Sequence, residues 1–398
     1  AAADAWLTAL ELYGTMTFQE VVQPALELAE HGFPVQERLH RHITQYAEML
    51  RQWPSSVEVF LPGGSVPAVG EVLVQRDLAR TFSRLIEVEL ANAHKGRKEA
   101  VRAARDEFYK GDIAREMVRF CQEQGGFLTL RDMAEFQVTV EPPATGSYKE
   151  YTIYTCGPWC QGPVNIQVLQ LLEGFDLRAM GHNSTDYIHT LLEAMKLAFS
   201  DRHAYYGDPD LVEVPIRGLL SKDYAEVRRR ELDPNRAHPH MPPPGDPWPF
   251  QGSPSRPGVT LPQASSGKPQ PDTSYTCVVD QWGNFFSATP SDPFKTPIVP
   301  GLGLAISSRG RQTWLEDGHP SRLEPWKRPR LTPNPAIAFK NGRPWMAYGT
   351  PGGDIQPQAM VQLFINVTEF GMDPQQAIEK PRFASYSFPD SFWPHPYE

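Results

Sequence analysis

The chain is poor in the features that would place it in several large classes. Only four cysteines occur in 398 residues. Cys121, Cys156 and Cys160 stand apart from any second pair of metal ligands and are read as buried thiols, with a Cys156–Cys160 disulfide or a zinc site as alternatives. No run of eighteen or more apolar residues is present, which argues against a membrane-spanning helix. Basic side chains number 38 against 47 acidic ones, a net charge of −9. The Lys and Arg residues are scattered, so there is no electrostatic footprint for nucleic acid or an anionic membrane. Neither a G-x-S-x-G elbow nor an H-E-x-x-H helix occurs, which leaves a conventional serine or metal hydrolase without an anchor. The expected partner is a small molecule or peptide, and neither a cofactor nor a metal is expected.

What is present begins with helices. Phe18, Val21, Val22, Ala25, Leu26 and Ala29 recur at helical spacing, as do Leu78, Phe82, Leu85 and Ile86, so residues 1 to about 124 predict a helix-rich shell. The chain opens on Ala1 directly in such a pattern, so it is expected to be truncated at both ends. The lack of a signal peptide then carries no weight, and cytoplasm and periplasm both stay open. Tyr151 to Thr155 reads as a strand closed by Gly157-Pro158, and a helix follows through Leu172. The clearest helix is opened by Asn183 or Ser184 as cap and carries Ile188, Leu191, Leu192, Met195, Ala198 and Phe199 on one stripe. His189 and Glu193 on it are read as a local helical pair.

Between Asp233 and Asp272 prolines cluster, large aliphatics thin out and periodicity vanishes. That composition predicts a linker, with His238 and His240 solvated rather than metal-bound. The pattern then switches abruptly to strand. Thr273 to Asp280 is rich in β-branched and aromatic residues, Gln281-Trp282-Gly283-Asn284 turns, and Phe285 to Thr289 returns. A second hairpin spans Ala336 to Phe339 and Pro344 to Tyr348. It is followed by Gly349-Thr350-Pro351-Gly352-Gly353 and a helix from about Pro357 to Phe370.

A mobile linker that stops at a strand beginning with Thr is what a self-processing hydrolase needs. A threonine hydroxyl is a poor nucleophile at neutral pH and requires a base whose pKa lies near the working pH. A free α-amine, with a reference pKa of about 7.7 to 8.0, can serve its own side chain, but only after the preceding peptide bond is broken. Scission at Asp272-Thr273 would therefore create the catalyst, dividing the chain into a large piece, 1–272, and a small piece, 273–398.

These residues resemble the γ-glutamyltranspeptidase family. Thr273-Ser274-Tyr275-Thr276-Cys277-Val278-Val279-Asp280-Gln281-Trp282-Gly283-Asn284 is similar to the family pattern T-T-H-x-S-V-V-D-x-x-G-N at the Thr and at the V-V-D-x-x-G-N end. Further likeness runs through Gly125-Gly126-Phe127-Leu128-Thr129, Glu193 to Arg202, Gly207-Asp208-Pro209 and Pro381-Arg382-Phe383. The resemblance implies an α+β fold, a four-layer αββα sandwich of the N-terminal-nucleophile (Ntn) hydrolase type. It implies Thr273 as nucleophile, Ser291 as the hydroxyl that bonds it, and the backbone N–H groups of Gly352 and Gly353 as oxyanion hole. Asp201 and Arg202 are expected to form an ion pair locking a helix end. The large and small pieces would form an αβ heterodimer, with a dimer of such pairs left open.

The sequence also departs from the family. Where members acting on glutathione carry a Ser-Ser pair, this chain has Leu331-Thr332, and where they carry an Asp that holds the substrate ammonium it offers Arg309, Arg311 and Gln312. Leu331, Thr332, Arg309 and Arg311 are accordingly expected to line the substrate pocket, with Arg favouring a negatively charged acyl group. The stretch from Gln312 to Lys327 looks shorter than the family's lid segment, which favours hydrolysis over transfer. A γ-glutamyl compound, a dicarboxylate monoamide and an N-acyl antibiotic all remain as substrates, and a non-maturing, inactive relative is the alternative from another class.

Overall fold

The computed structural model describes residues 2–256, 273–292 and 296–397. Two compact units are present: Ala1–Val140 with Phe294–Ser308, and Glu141–Pro293 with Arg309–Glu398. Each contains chain from both sides of Thr273.

The first unit is the predicted helix-rich shell. Its helices include α1 (Ala2–Tyr13), α2 (Phe18–His31), α3 (Arg76–Asn92), α4 (Arg97–Lys110) and α5 (Asp112–Glu123). Thr17 and Glu20 close a reciprocal capping box at the start of α2, satisfying two backbone donors that would otherwise be orphaned. Leu85, Ile86, Val101, Ala104, Ile113 and Val118 form its core. A buried carboxylate, Asp4, is tolerated there because Arg105 pairs with it and Val138 N–H donates to it at 2.7 Å.

The second unit is built on a four-stranded antiparallel sheet. Its strands are β1 (Ala144–Tyr148), β2 (Tyr151–Thr155), β5 (Ala336–Lys340) and β6 (Arg343–Tyr348), in the spatial order β6-β5-β2-β1. Two local hairpins are thus zipped together by β2 against β5, with Tyr151 opposite Lys340 and Thr155 opposite Ala336. The first strand of this sheet, β1, was not anticipated; its Ala-Thr-Gly-Ser-Tyr sequence has weak strand propensity, and pairing to β2 fixes it instead. Alternation places Tyr151, Ile153 and Thr155 on one buried face. Against the sheet packs α6 (Gly162–Leu172), every residue of which is buried, and α6 in turn contacts α7 (Thr185–Tyr205) and α8 (Ile355–Thr368).

The hairpin of β3 (Thr276–Val279) and β4 (Phe285–Ala288) contacts β5 and β6 without being hydrogen-bonded into their sheet, so it forms a second β layer. Helix, sheet and second sheet are three layers of an αββα sandwich. Val278, Val279 and Phe286 are exposed on the hairpin.

Several expectations are corrected here. The proline-rich segment is partly packed, with Pro242, Pro247 and Trp248 buried and 233–237 and 254–256 exposed, and the remainder, 257–272, lies outside the described residues. Side chains of α7 donate to its carbonyls: Lys196 to His238 O, Ser200 to Pro242 O, and Tyr205 to Gly245 O. Its non-proline N–H groups donate in return, His238 to Glu193, Met241 to Tyr397 Oη and Gly245 to Asp201. His238 is half-buried and bonds Glu193, at 2.6 Å, while His240 is exposed. Glu193 also pairs with Lys196, so it has no bond to His189, which instead reaches Asp233 O. Asp201 and Arg202 are not paired with each other. Successive helix positions point about 100° apart, so Asp201 meets Arg228 and Tyr224 while Arg202 meets Asp354 on another face. All four cysteines are free thiols, and Cys277 is exposed.

Candidate active site

The hairpin register builds the centre of the site. Thr276 stands opposite Ala288 and Val279 opposite Phe285, and the same pairing carried three residues outward sets Thr273 opposite Ser291. Two bonds hold this extension beyond the regular ladder: Ser274 N–H donates to Pro290 O at 3.0 Å, and Tyr275 OH shares a bond with Ser287 Oγ at 3.0 Å. Ser291 Oγ then donates to Thr273 Oγ1 at 2.9 Å. The expected partnership of these two hydroxyls is therefore present in the geometry. Asp272, on the other side of the expected scission, lies outside the described residues.

A second donor reaches the same oxygen. Gln356 Nε2 lies 3.1 Å from Thr273 Oγ1, and Gln356 is wholly buried in the first turn of α8. The sequence reading missed it. Its signal was available: Gln356, Gln358 and Gln362 are polar positions in an apolar helix and therefore demand specific partners. Gln358 and Gln362 find theirs in the carbonyls of Ser385 and Phe383.

The glycine loop sits just before this helix. Gly352 has φ 131° and Gly353 φ 55°, conformations open to glycine but strained for other residues. Ile355 N–H donates to Gly352 O and Gln356 N–H to Gly353 O, so the loop runs straight into the helix N-terminus, where backbone N–H groups carry partial positive charge. Upstream, Gly349 lies so near the Tyr275 ring that a Cβ would sit 2.3 Å from it, tying the loop to the nucleophile strand.

Beneath the loop lies a buried polar scaffold. Gln161 Nε2 donates to both Gly353 O and Thr332 O, at 2.7 Å each, and its own carbonyl accepts from Arg202 at 2.9 Å. Arg202, fully buried, pairs with Asp354, which also accepts from Ser391 N–H and Oγ. Burial works against the Asp354 charge, but the Arg202 guanidinium and the Ser391 bonds outweigh it and hold the carboxyl below its usual range.

The four residues expected to line the substrate pocket are placed differently from one another. Thr332 is wholly buried, its hydroxyl accepting from Arg309 and Gln312. Arg309 is 7% exposed, and its guanidinium is engaged with Ser291, Gln312 and Thr332. Both are linked through Ser291 to Thr273. Leu331 is half-buried, its N–H bonded to Trp159 O. Arg311 is half-buried and donates to Trp393 O at 2.9 Å.

A threonine at the start of a strand, layered helices and sheets, and a glycine loop at a helix N-terminus define the fold of the Ntn hydrolases. The chain belongs to the gamma-glutamyltranspeptidase family, whose pattern it matches over residues 1–394. It is 32% identical to the glutathione hydrolase-like YwrD proenzyme of Bacillus subtilis (strain 168), over 96% of this chain and 65% of that one. Among solved structures it is similar to LmbA2991HD, with a TM-score of 0.87 and 36% identity over 99% of this chain and 70% of that one. It is also similar to the cephalosporin acylase from Bacillus halodurans, with a TM-score of 0.79 and 28% identity over 96% and 64%. The chain thus spans about two thirds of the length of these relatives.

Proposed function

We propose that this chain carries the catalytic centre of a self-cleaving amidohydrolase in which Thr273, freed by scission of the Asp272-Thr273 bond, is the nucleophile. The observation that supports the reading most is the convergence of two donors, Ser291 Oγ and Gln356 Nε2, on Thr273 Oγ1. An oxygen receiving two hydrogen bonds is stabilised as it becomes an alkoxide, and its own proton is directed to a third group. After scission that group is the α-amine of the same residue, whose pKa suits it as general base. In the precursor the same hydroxyl attacks the preceding carbonyl, the peptide shifts to an ester, and water releases the large piece.

In turnover, Thr273 Oγ1 attacks an amide carbonyl while the amine takes the proton. The N–H groups of Gly352 and Gly353, at the positive end of α8, bind the oxyanion. The amine returns its proton to the leaving nitrogen, and water then hydrolyses the acyl-enzyme. The acyl class is that of the relatives' names, a γ-glutamyl compound or an N-acyl amide, with hydrolysis favoured by the short Gln312–Lys327 segment. With Arg309 and Thr332 buried, the charge preference of the acyl pocket rests on half-buried Arg311. The mature form is an αβ heterodimer of the two pieces.

The test is Thr273→Ala in the full-length protein, followed on denaturing gels and with chromogenic γ-glutamyl and acyl anilides. The expected outcome is a single uncut chain without amidase activity, whereas Thr273→Ser still splits. A Thr273→Ala protein that cuts at the same bond refutes the assignment.

A further inference from the structure

Arg309 is a buried cation with an unusual set of neighbours. Its Nε donates to Ser291 O at 3.0 Å and its Nη2 to Ser291 Oγ, while Nη1 reaches Gln312 Oε1 at 3.2 Å and Thr332 Oγ1 at 3.4 Å. The guanidinium carbon lies 5.4 Å from the centroid of the Phe392 ring. The geometry points to Arg309 as a positioning residue that acts through Ser291, orienting its hydroxyl proton toward Thr273 and holding the Thr273 α-amine in its unprotonated form. The inference rests on the reading that Thr273 acquires a free amine.

Two physical arguments carry it. A guanidinium only donates, and it stays charged at any pH a protein survives. The Ser291 oxygen is thus committed as acceptor toward Arg309, and its single proton is given to Thr273 Oγ1, 2.9 Å away. With an uncharged neighbour, Ser291 is equally able to accept the threonine's proton, and the hydroxyl is then turned away from its base. The second argument is electrostatic. A fixed positive charge one hydroxyl removed from Thr273 disfavours a second positive charge on that residue, so the ammonium loses its proton more readily.

The other charged or titratable groups on the elements around Thr273 do not replace this one. Asp354 at the start of α8 is matched by Arg202, and Arg311 is half-buried and bonded to Trp393 O. Arg330, wholly buried, donates to Arg202 O. The phenols of half-buried Tyr275 and buried Tyr348 have pKa values pushed upward, by desolvation first, so they stay neutral. Asp292 stands beside Ser291 and is exposed.

The test compares the parent with Arg309→Met and Arg309→Lys in the full-length protein. Two quantities are read: the rate of self-cleavage, and the pKa of the Thr273 α-amine, obtained by competitive acetylation across pH and mass spectrometry of the small piece. Neither needs a known substrate. To guarantee an amine in slow variants, the two pieces are also co-expressed as separate chains divided before Thr273. Arg309→Met is expected to slow self-cleavage at least tenfold and to raise the amine pKa by about one unit. Arg309→Lys is expected to restore the pKa while leaving cleavage slow, since it keeps the charge but loses the fork. An amine pKa in Arg309→Met within 0.2 units of the parent overturns the inference, as does a lysine variant that behaves like methionine. A parent that never exposes Thr273 as an N-terminus instead overturns the proposed function itself.

Discussion

Gln356→Leu is the most informative single change in the site. The amide nitrogen of Gln356 bonds Thr273 Oγ1 at 3.1 Å, and its carbonyl oxygen is buried without a hydrogen-bond partner. Leucine has nearly the same size, so the substitution removes one donor and also one unsatisfied buried acceptor. The folded state should therefore lose little: a neutral hydrogen bond contributes about 1 kcal/mol net, and burying an unpaired acceptor costs a similar amount. The transition state loses more, because negative charge develops on the oxygen that the amide stabilises. One donor to a developing oxyanion is worth about 3 to 4 kcal/mol, or about a hundred- to a thousandfold in kcat. Single-turnover acylation with a chromogenic amide and the rate of self-cleavage should both fall by about that factor, with KM and melting temperature nearly unchanged. A Gln356→Leu protein that splits and acylates within threefold of the parent removes Gln356 from the mechanism.

Two stability predictions concern the scaffold. Asp354→Asn leaves the Arg202 guanidinium, 0% exposed, without its carboxylate, a loss of about 3 to 5 kcal/mol; calorimetry should show a melting temperature lower by about 5 °C, and an unchanged value contradicts the pairing. His203 and His319 are 3% and 2% exposed, and burial first, then the neighbouring Arg330 charge, lowers their pKa values far below 6.5. Ser321 N–H donates to His319 Nδ1 at 2.9 Å, a bond that only a neutral ring accepts. The unfolded chain binds protons at these rings near pH 6.5 and the folded chain refuses them, so stability is full above that pH and declines below it. At pH 5.5 the loss is about 1.4 kcal/mol for each ring, about 3 kcal/mol together. His319→Gln should show about half the parent's change in melting temperature between pH 7.5 and 5.5 that these rings cause, and an identical pH slope in parent and variant refutes the assignment.

The local features of the fold were legible in the sequence, and the long-range pairings were not. Ser184 caps its helix, Tyr151–Thr155 is a strand, and both C-terminal hairpins stand where alternation and turn residues set them. Each of these is decided within about ten residues. The zipping of β2 to β5 joins positions far apart in the chain, and nothing in either strand's own pattern names its partner. Arg202 with Asp354 and Gln161 with Gly353 are of the same kind. In the site, Thr273 stood out because the composition changes so sharply before it, whereas Ser291 came only from the family resemblance, and the hairpin register sets it opposite Thr273. Gln356 was missed because a buried glutamine announces a partner without saying which. Arg309 was placed by its alignment with the family's Asp position, and its bonds to Ser291, Gln312 and Thr332 could not be read from that alignment.

The most direct test of the account is the N-terminal residue of the small fragment from freshly purified full-length protein, read by sequencing and intact mass. The account predicts a fragment that begins at Thr273, with a free α-amine. A protein that hydrolyses amides while its chain runs unbroken from 272 to 273 contradicts it.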